Sequence, residues 1–177
     1  MEKQSELLQG MLDIPFIRRI RRNHGLEHAT MHLLSQRVPN LRVVGRSDAG
    51  GFWIYGPVPT EDVRDCVTGA LARMRNGEHH LAIHPNCGTN LVTMALLGAG
   101  VTFLALIGSE RRRFGKLQRL PLVVIGLLMA AVAGQPLGLQ LQEHVTTLGD
   151  PADLEIVDIR RMNRSGMIMH RIQTRSS

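Results

Sequence analysis

Three histidines and a glutamate in NHGLEHATMH, residues 23–32, carry the first chemical signal in the chain. On a helix, side chains four residues apart are neighbours, about 6 Å from one another, so His24 and His28 can converge on one ion as they do in zinc helices. Glu27 directly precedes His28. The result, His24-x-x-Glu27-His28, is the inverted form of the metallopeptidase motif, in which two imidazoles hold the metal and the glutamate acts on its water. His32 lies two turns from His24, about 12 Å along the axis, so all three cannot bind one tetrahedral ion, and His32 is expected to support or pack.

A second cluster, HPNCGTN, presents His84 and Cys87 two residues apart in a turn of proline and glycine, a spacing at which both can reach one cation. Cys87 directly precedes a hydrophobic helix whose dipole favours the thiolate. The same turn also suits a capping role, with Thr89 or Asn90 satisfying amide groups, and both uses are compatible. A shared site would take His24, His28 and Cys87, with His84 as fourth ligand or as the neighbour of an open position. Nitrogen and thiolate in a tetrahedral set suit Zn2+ or another divalent transition metal. A closed set is structural; an open position admits water, with Glu27 as the catalytic general base of a hydrolase. Two other readings stay open. Cys87 can be a nucleophile, with His24, His28 or His84 as base and Glu27 orienting it. Alternatively, a structural metal or a buried polar network fastens a non-catalytic membrane protein together.

The elements that must position these groups read as α+β. Ile17, Ile20, Met31 and Leu34 mark the buried seam of the first helix, and His24, Glu27 and His28 interrupt it. An unpartnered imidazole or carboxylate in such a seam costs several kcal/mol, so each needs a partner. LRVVGRSDAGGFWIYG reads as a β-hairpin around Asp48 to Gly51, and PTEDVRDCVTGALARMRNG as a helix with Thr60 as N-cap and Gly77 just past its end. HHLAIH reads as a short strand in which His79 and His80 face opposite ways and His80 shares the face of His84. LEIVDIRRMNRSGMIMHRIQT reads as a second hairpin around Asn163 to Gly166. Cys66 is expected as a small core residue of the second helix; His144 and His170 show no pattern.

Between these segments, residues 88–109 and 120–142 carry no charged side chain for 22 and 23 positions. Each run is long enough to cross a hydrocarbon core of about 30 Å. ERRRFGK between them is a polar turn, so the expectation is a transmembrane hairpin. Gly126, Ala130 and Gly134 would let a neighbouring helix approach, and Pro136 would end or kink the second helix. The layout is therefore 1–87 as the first part of the α+β domain, 88–142 as the membrane hairpin and 143–177 as the hairpin that completes a small antiparallel or mixed sheet with two helices. Homo-oligomers through the membrane hairpin are left open.

The formal net charge of +6 arises mostly from residues 109–119, with five basic residues and one acidic. An aromatic content of 3% leaves little for stacking on bases, so no nucleic-acid partner is expected. Two cysteines do not make a disulfide framework, and the acidic start without an apolar core or cleavage site does not resemble an export signal. The positive-inside rule applied to Arg111, Arg112, Arg113, Lys116 and Arg119 would put the loop in the cytoplasm. The missing leader, and Arg18, Arg19, Arg21 and Arg22, which would suit anionic headgroups, favour the opposite, with the α+β domain on the cytoplasmic side of the inner membrane.

NHGLEHATMHLLSQR followed by GEHHLAIHPNCGTNLV resembles an uncharacterised family of bacterial membrane proteins, a domain of unknown function of the 6391 type. More distantly it is similar to a family of predicted metal-dependent membrane enzymes that pair a His-Gly-x-Glu-His motif with a His-Pro-x-Cys-Gly-Thr motif. The closer resemblance runs from Arg18 to Thr93, and His24, Glu27, His28, His84 and Cys87 all match. It implies a metal-dependent activity at a membrane and names no substrate; the position of the α+β domain beside the hairpin is what points to the lipid bilayer and a membrane-associated substrate as partners.

Overall fold

The computed structural model describes residues 2–107 and 115–177, with side chains for residues 6–107 and 117–177. Most of ERRRFGK, including Arg111, Arg112 and Arg113, lies outside the described residues, and so does the Lys116 side chain. The chain forms two compact units, Met1–His84 with Glu143–Ser177, and Pro85–Gln142.

In the first unit the helix α1 (Glu2–Leu12) precedes α2 (Pro15–Arg37), which opens with proline in its first turn, where a missing N–H costs nothing. The strands β1 (Val44–Asp48) and β2 (Gly51–Tyr55) form the first hairpin, and α3 (Thr60–Arg75) follows. Val63, Cys66, Val67, Ala70, Leu71 and Met74 recur at helical spacing on α3, and all are buried. Burial pushes the Cys66 thiol pKa up, as befits a core sulfur. The second hairpin pairs β3 (Glu155–Arg164) with β4 (Met167–Arg175) across Ser165 and Gly166, both at positive φ, as a tight hairpin turn requires.

The sheet is antiparallel throughout, in the order β1-β2-β4-β3, so the central β2–β4 pairing joins the two ends of the chain. On its covered face Phe52 stands opposite Ile172 and Ile54 opposite His170, packed with Leu26, Ala29 and Leu34 of α2 and the buried row of α3. Asn23 ties α2 to the sheet: its amide donates to the Asp48 carbonyl (2.8 Å) and accepts from the Thr174 hydroxyl (2.6 Å).

Three local expectations change. Residues His79–Ala82 form a 3-10 turn, closed by Leu81 N–H to Glu78 and Ile83 N–H to His80, so no strand forms there and the predicted strand facing of His79 and His80 lapses. The carbonyls that a strand would commit to a ladder are committed to histidines instead. Thr60 begins α3 but is not its N-cap; Pro59 holds that position, and the Thr60 hydroxyl faces His170 Nε2 at 3.1 Å. Arg21 and Arg22 are buried inside the fold. Arg21 donates to the carbonyls of His144 and Thr147, and Arg22 pairs with Asp153 at 2.8 Å.

The second unit holds α4 (Gly88–Leu106), the short α5 (Gly115–Gln118) and α6 (Leu120–Leu141). The helices α4 and α6 are long and apolar enough to cross a membrane. They run antiparallel: a Cβ on Gly126, Gly134 or Gly138 would meet Val101, Met94 or Asn90, respectively. At Gly138 it would lie 2.8 Å from the Asn90 Cα, so glycine is what lets the backbones approach. Pro136 does not end α6, which continues to Leu141. Gln142 donates to Asn90 Oδ1 at 2.7 Å, a buried polar link between the ends of the hairpin, and Arg119 caps α4 through the carbonyls of Ala105 and Ile107.

Candidate functional site

Helix α2 brings His24, Glu27, His28 and His32 into the first unit, and the segment after the 3-10 turn brings His84 against them. The His24 and His28 ring centroids lie 4.3 Å apart with the planes at 63°, as expected for residues one turn apart. His84 lies 4.7 Å from His32 and 5.8 Å from His28, centroid to centroid. Four imidazoles are thus gathered on one side of α2.

What fixes these rings is the backbone around them. His24 Nδ1 lies 2.9 Å from the carbonyl of Thr146, and His28 Nδ1 lies 2.7 Å from the carbonyl of Ala82. A carbonyl only accepts, so each Nδ1 carries the proton and donates it, and each neutral ring keeps its lone pair on Nε2. Hydrogen bonds of this kind are how proteins hold metal-ligating histidines in one tautomer. His32 is bound the other way round, with Nε2 donating to the Ile83 carbonyl at 2.8 Å. It supports the 79–84 segment, as its distance along α2 from His24 leads one to expect.

The carbonyls are available for local reasons. The Thr146 carbonyl ends a π-helical stretch, Gln142–Thr146, and helix ends turn their last carbonyls to donors outside the helix. His24 donates to the Thr146 carbonyl, and Arg21 to those of His144 and Thr147. The close approach depends on Gly25: a methyl there would lie 2.5 Å from the Leu148 carbonyl oxygen and 3.2 Å from the Ala82 Cβ. The glycine of the His-Gly-x-Glu-His motif is therefore where the two carbonyl-bearing segments close on α2. In the same way, a methyl on Gly45 of β1 would overlap the carboxylate of Glu27, which is buried. Glycine at 45 leaves the room that Glu27 occupies.

Burial, with His32 close by as the lesser cause, holds the pKa of His84 below that of a free imidazole. Burial thus favours the neutral form of His84, the form in which a histidine binds a metal. Cys87 belongs to the second unit, three residues beyond His84. It is a buried thiol at the N-cap of α4, where its sulfur accepts from the Thr89 N–H at 3.4 Å. The capping use of this turn thus falls to Cys87 itself, while the Asn90 side chain donates to the Pro85 carbonyl at 2.7 Å.

The carbonyl partners of His24 and His28, and the glycines that admit them, were missed by sequence reasoning. A glycine inside a helix was the available signal for a close backbone approach.

Residues 19–159 match the family described as Domain of unknown function (DUF6391). An uncharacterized protein of Picosynechococcus sp. (strain ATCC 27264 / PCC 7002 / PR-6) is 32% identical over 184 residues, covering 97% of this chain and 85% of that protein. No solved structure matches.

Proposed function

The chain belongs to this family of unknown function, and from that premise we propose that it is a membrane-anchored, metal-dependent hydrolase whose cation is held by His24, His28 and Cys87. These three residues are a candidate metal-binding group by donor type. The observation that carries the reading is the pair of carbonyl hydrogen bonds that put the lone pairs of both His24 and His28 on Nε2. Zinc is the cation that best suits two imidazoles and a thiolate, with His84 as fourth ligand or as the neighbour of an open position. Bound zinc supplies Lewis acidity and brings the pKa of a coordinated water toward neutrality. The work of the chain is to hold the imidazoles in one tautomer, to keep Cys87 at a helix N-terminus that favours the thiolate, and to offer Glu27 as general base.

The exposed apolar side chains of the second unit, among them Leu96, Phe103, Leu104 and Val132, each about two-thirds exposed or more, support lipid as their surroundings and argue against the centre of a soluble bundle. We place the protein in the inner membrane with the α+β unit on the cytoplasmic side and a membrane-associated substrate. The capping hydrogen bond to the Cys87 sulfur favours a second reading, in which the site fastens the fold and does no chemistry.

Elemental analysis of detergent-purified protein, wild type beside His28→Ala and Cys87→Ser, tests the site. Stoichiometric zinc in the wild type, lost in both variants while the circular dichroism is kept, supports one shared centre. Zinc lost in only one variant, or absent from a folded wild type, overturns it. Glu27→Gln then separates the roles: retained zinc with lost hydrolysis of an activated ester supports the hydrolase, and unchanged hydrolysis supports the fastening role.

A further inference from the structure

The helix α1 has an apolar surface that the rest of the first unit leaves uncovered. Leu7, Leu8 and Met11 of α1 are exposed, at 65%, 48% and 58%, and so are Ile14 and Phe16 where the chain turns into α2. At 100° per residue the three α1 side chains fall within an arc of about 100°, while Glu6 and Gln9 lie on the opposite side. Next along the chain come Arg18 and Arg19. Arg21 and Arg22 are spent on the Thr147 carbonyl and Asp153, but Arg18 and Arg19 have no hydrogen-bond or ion-pair partner among the described residues, and their Nε atoms are buried. An apolar stripe beside two uncommitted guanidinium groups is complementary to one kind of surface: acyl chains beneath anionic headgroups.

We infer that α1 and the start of α2 lie in the interface of an anionic bilayer, with Leu7, Leu8, Met11 and Phe16 in the acyl region and Arg18 and Arg19 on lipid phosphates. This contact is separate from the spanning helices and needs no metal; it rests only on the part of the proposed function that puts the chain at a bilayer. A second copy of the chain is the other occupant such a face could take, but its own Arg18 and Arg19 would repel the pair already there.

The chain has one tryptophan, so Trp53→Phe provides a silent background. In that background, full-length Phe16→Trp and Leu128→Trp proteins are reconstituted in vesicles with and without brominated acyl chains, at zero and about 30% phosphatidylglycerol. Bromine should quench the residue-16 tryptophan roughly twofold in the anionic vesicles, less without anionic lipid, and less again when Arg18→Glu and Arg19→Glu are added. Equal fluorescence with and without bromine would overturn the inference, as would quenching indifferent to both lipid charge and the arginines, or burial that disappears on diluting protein in lipid. Leu128→Trp reports on α6 separately: its failure to be quenched would count against the spanning hairpin, and quenching at residue 16 in the same vesicles would still support the interfacial helix.

Discussion

Gly25→Ala sets a general rule against a local contact. Alanine in place of glycine inside a helix gains about 1 kcal/mol from propensity, so on sequence grounds the change stabilises α2. The structure reverses the sign. The new methyl would stand 2.5 Å from the Leu148 carbonyl oxygen and 3.2 Å from the Ala82 Cβ, and the former must open by about 0.9 Å to reach ordinary contact. Leu148 cannot retreat freely, because its N–H is bonded to the Arg21 carbonyl at 3.0 Å and the carbonyls of Thr146 and Thr147 are held by His24 and Arg21. Overpacking of this kind costs about 1–3 kcal/mol, and loosening one of those hydrogen bonds adds about 1 kcal/mol. The net is a destabilisation of about 2 kcal/mol, a fall in Tm of about 8 °C for a unit of this size.

Gly69→Ala on α3 is the control. Its methyl would meet only the Leu33 Cδ2, at 3.4 Å, so the propensity gain should survive and the Tm should rise. Trp53 fluorescence in detergent follows the unfolding of the first unit. Because the displaced carbonyls orient His24 and His28, Gly25→Ala should also weaken zinc retention by about tenfold or more. A Gly25→Ala protein that melts at or above the wild type, or that shifts in the same direction as Gly69→Ala, would refute the close approach on which the site geometry depends.

Gly45→Ala should displace the Glu27 carboxylate, lowering stability, with the loss largely relieved in the double variant Gly45→Ala/Glu27→Ala; additive losses in a double-mutant cycle would show that the two do not touch. His170, fully buried beside Thr60, Ile54 and Arg161, has its pKa lowered by burial first and by the Arg161 charge second. The unfolded chain therefore takes up a proton that the fold rejects: the contribution is complete above about pH 6.5 and is lost as pH falls from there toward the depressed value. Thermal melts from pH 7.5 down to 5 should show this slope, and His170→Leu should flatten it. In the second unit, Asn90→Ala removes the acceptor of Gln142 and the donor to Pro85, and should destabilise the hairpin by about 1–2 kcal/mol in an SDS unfolding titration; no change would mean that the buried polar link contributes nothing.

The parts of the fold legible in the sequence are those encoded by neighbours in the chain. Ser165-Gly166 can supply two positive φ angles, so the last hairpin follows from its turn, and the apolar spacing from Val63 to Met74 can bury only one face of a helix. HHLAIH misleads because an alternation only six residues long does not separate a strand from a tight turn. The site was half legible for the same reason. His24 and His28 share a face by helical period alone, but which ring nitrogen keeps its lone pair depends on carbonyls 122 and 54 residues away, and no local pattern encodes those. Yet Gly25 and Gly45 did carry part of that information. A glycine inside a helix or a strand costs stability unless something fills the space a side chain would take; at one position that is a pair of backbone segments, and at the other the carboxylate of Glu27. The sequence therefore announced two close approaches to α2 without naming the partners, and the Thr146 and Ala82 carbonyls are what leave the lone pairs of both neighbouring histidines on Nε2.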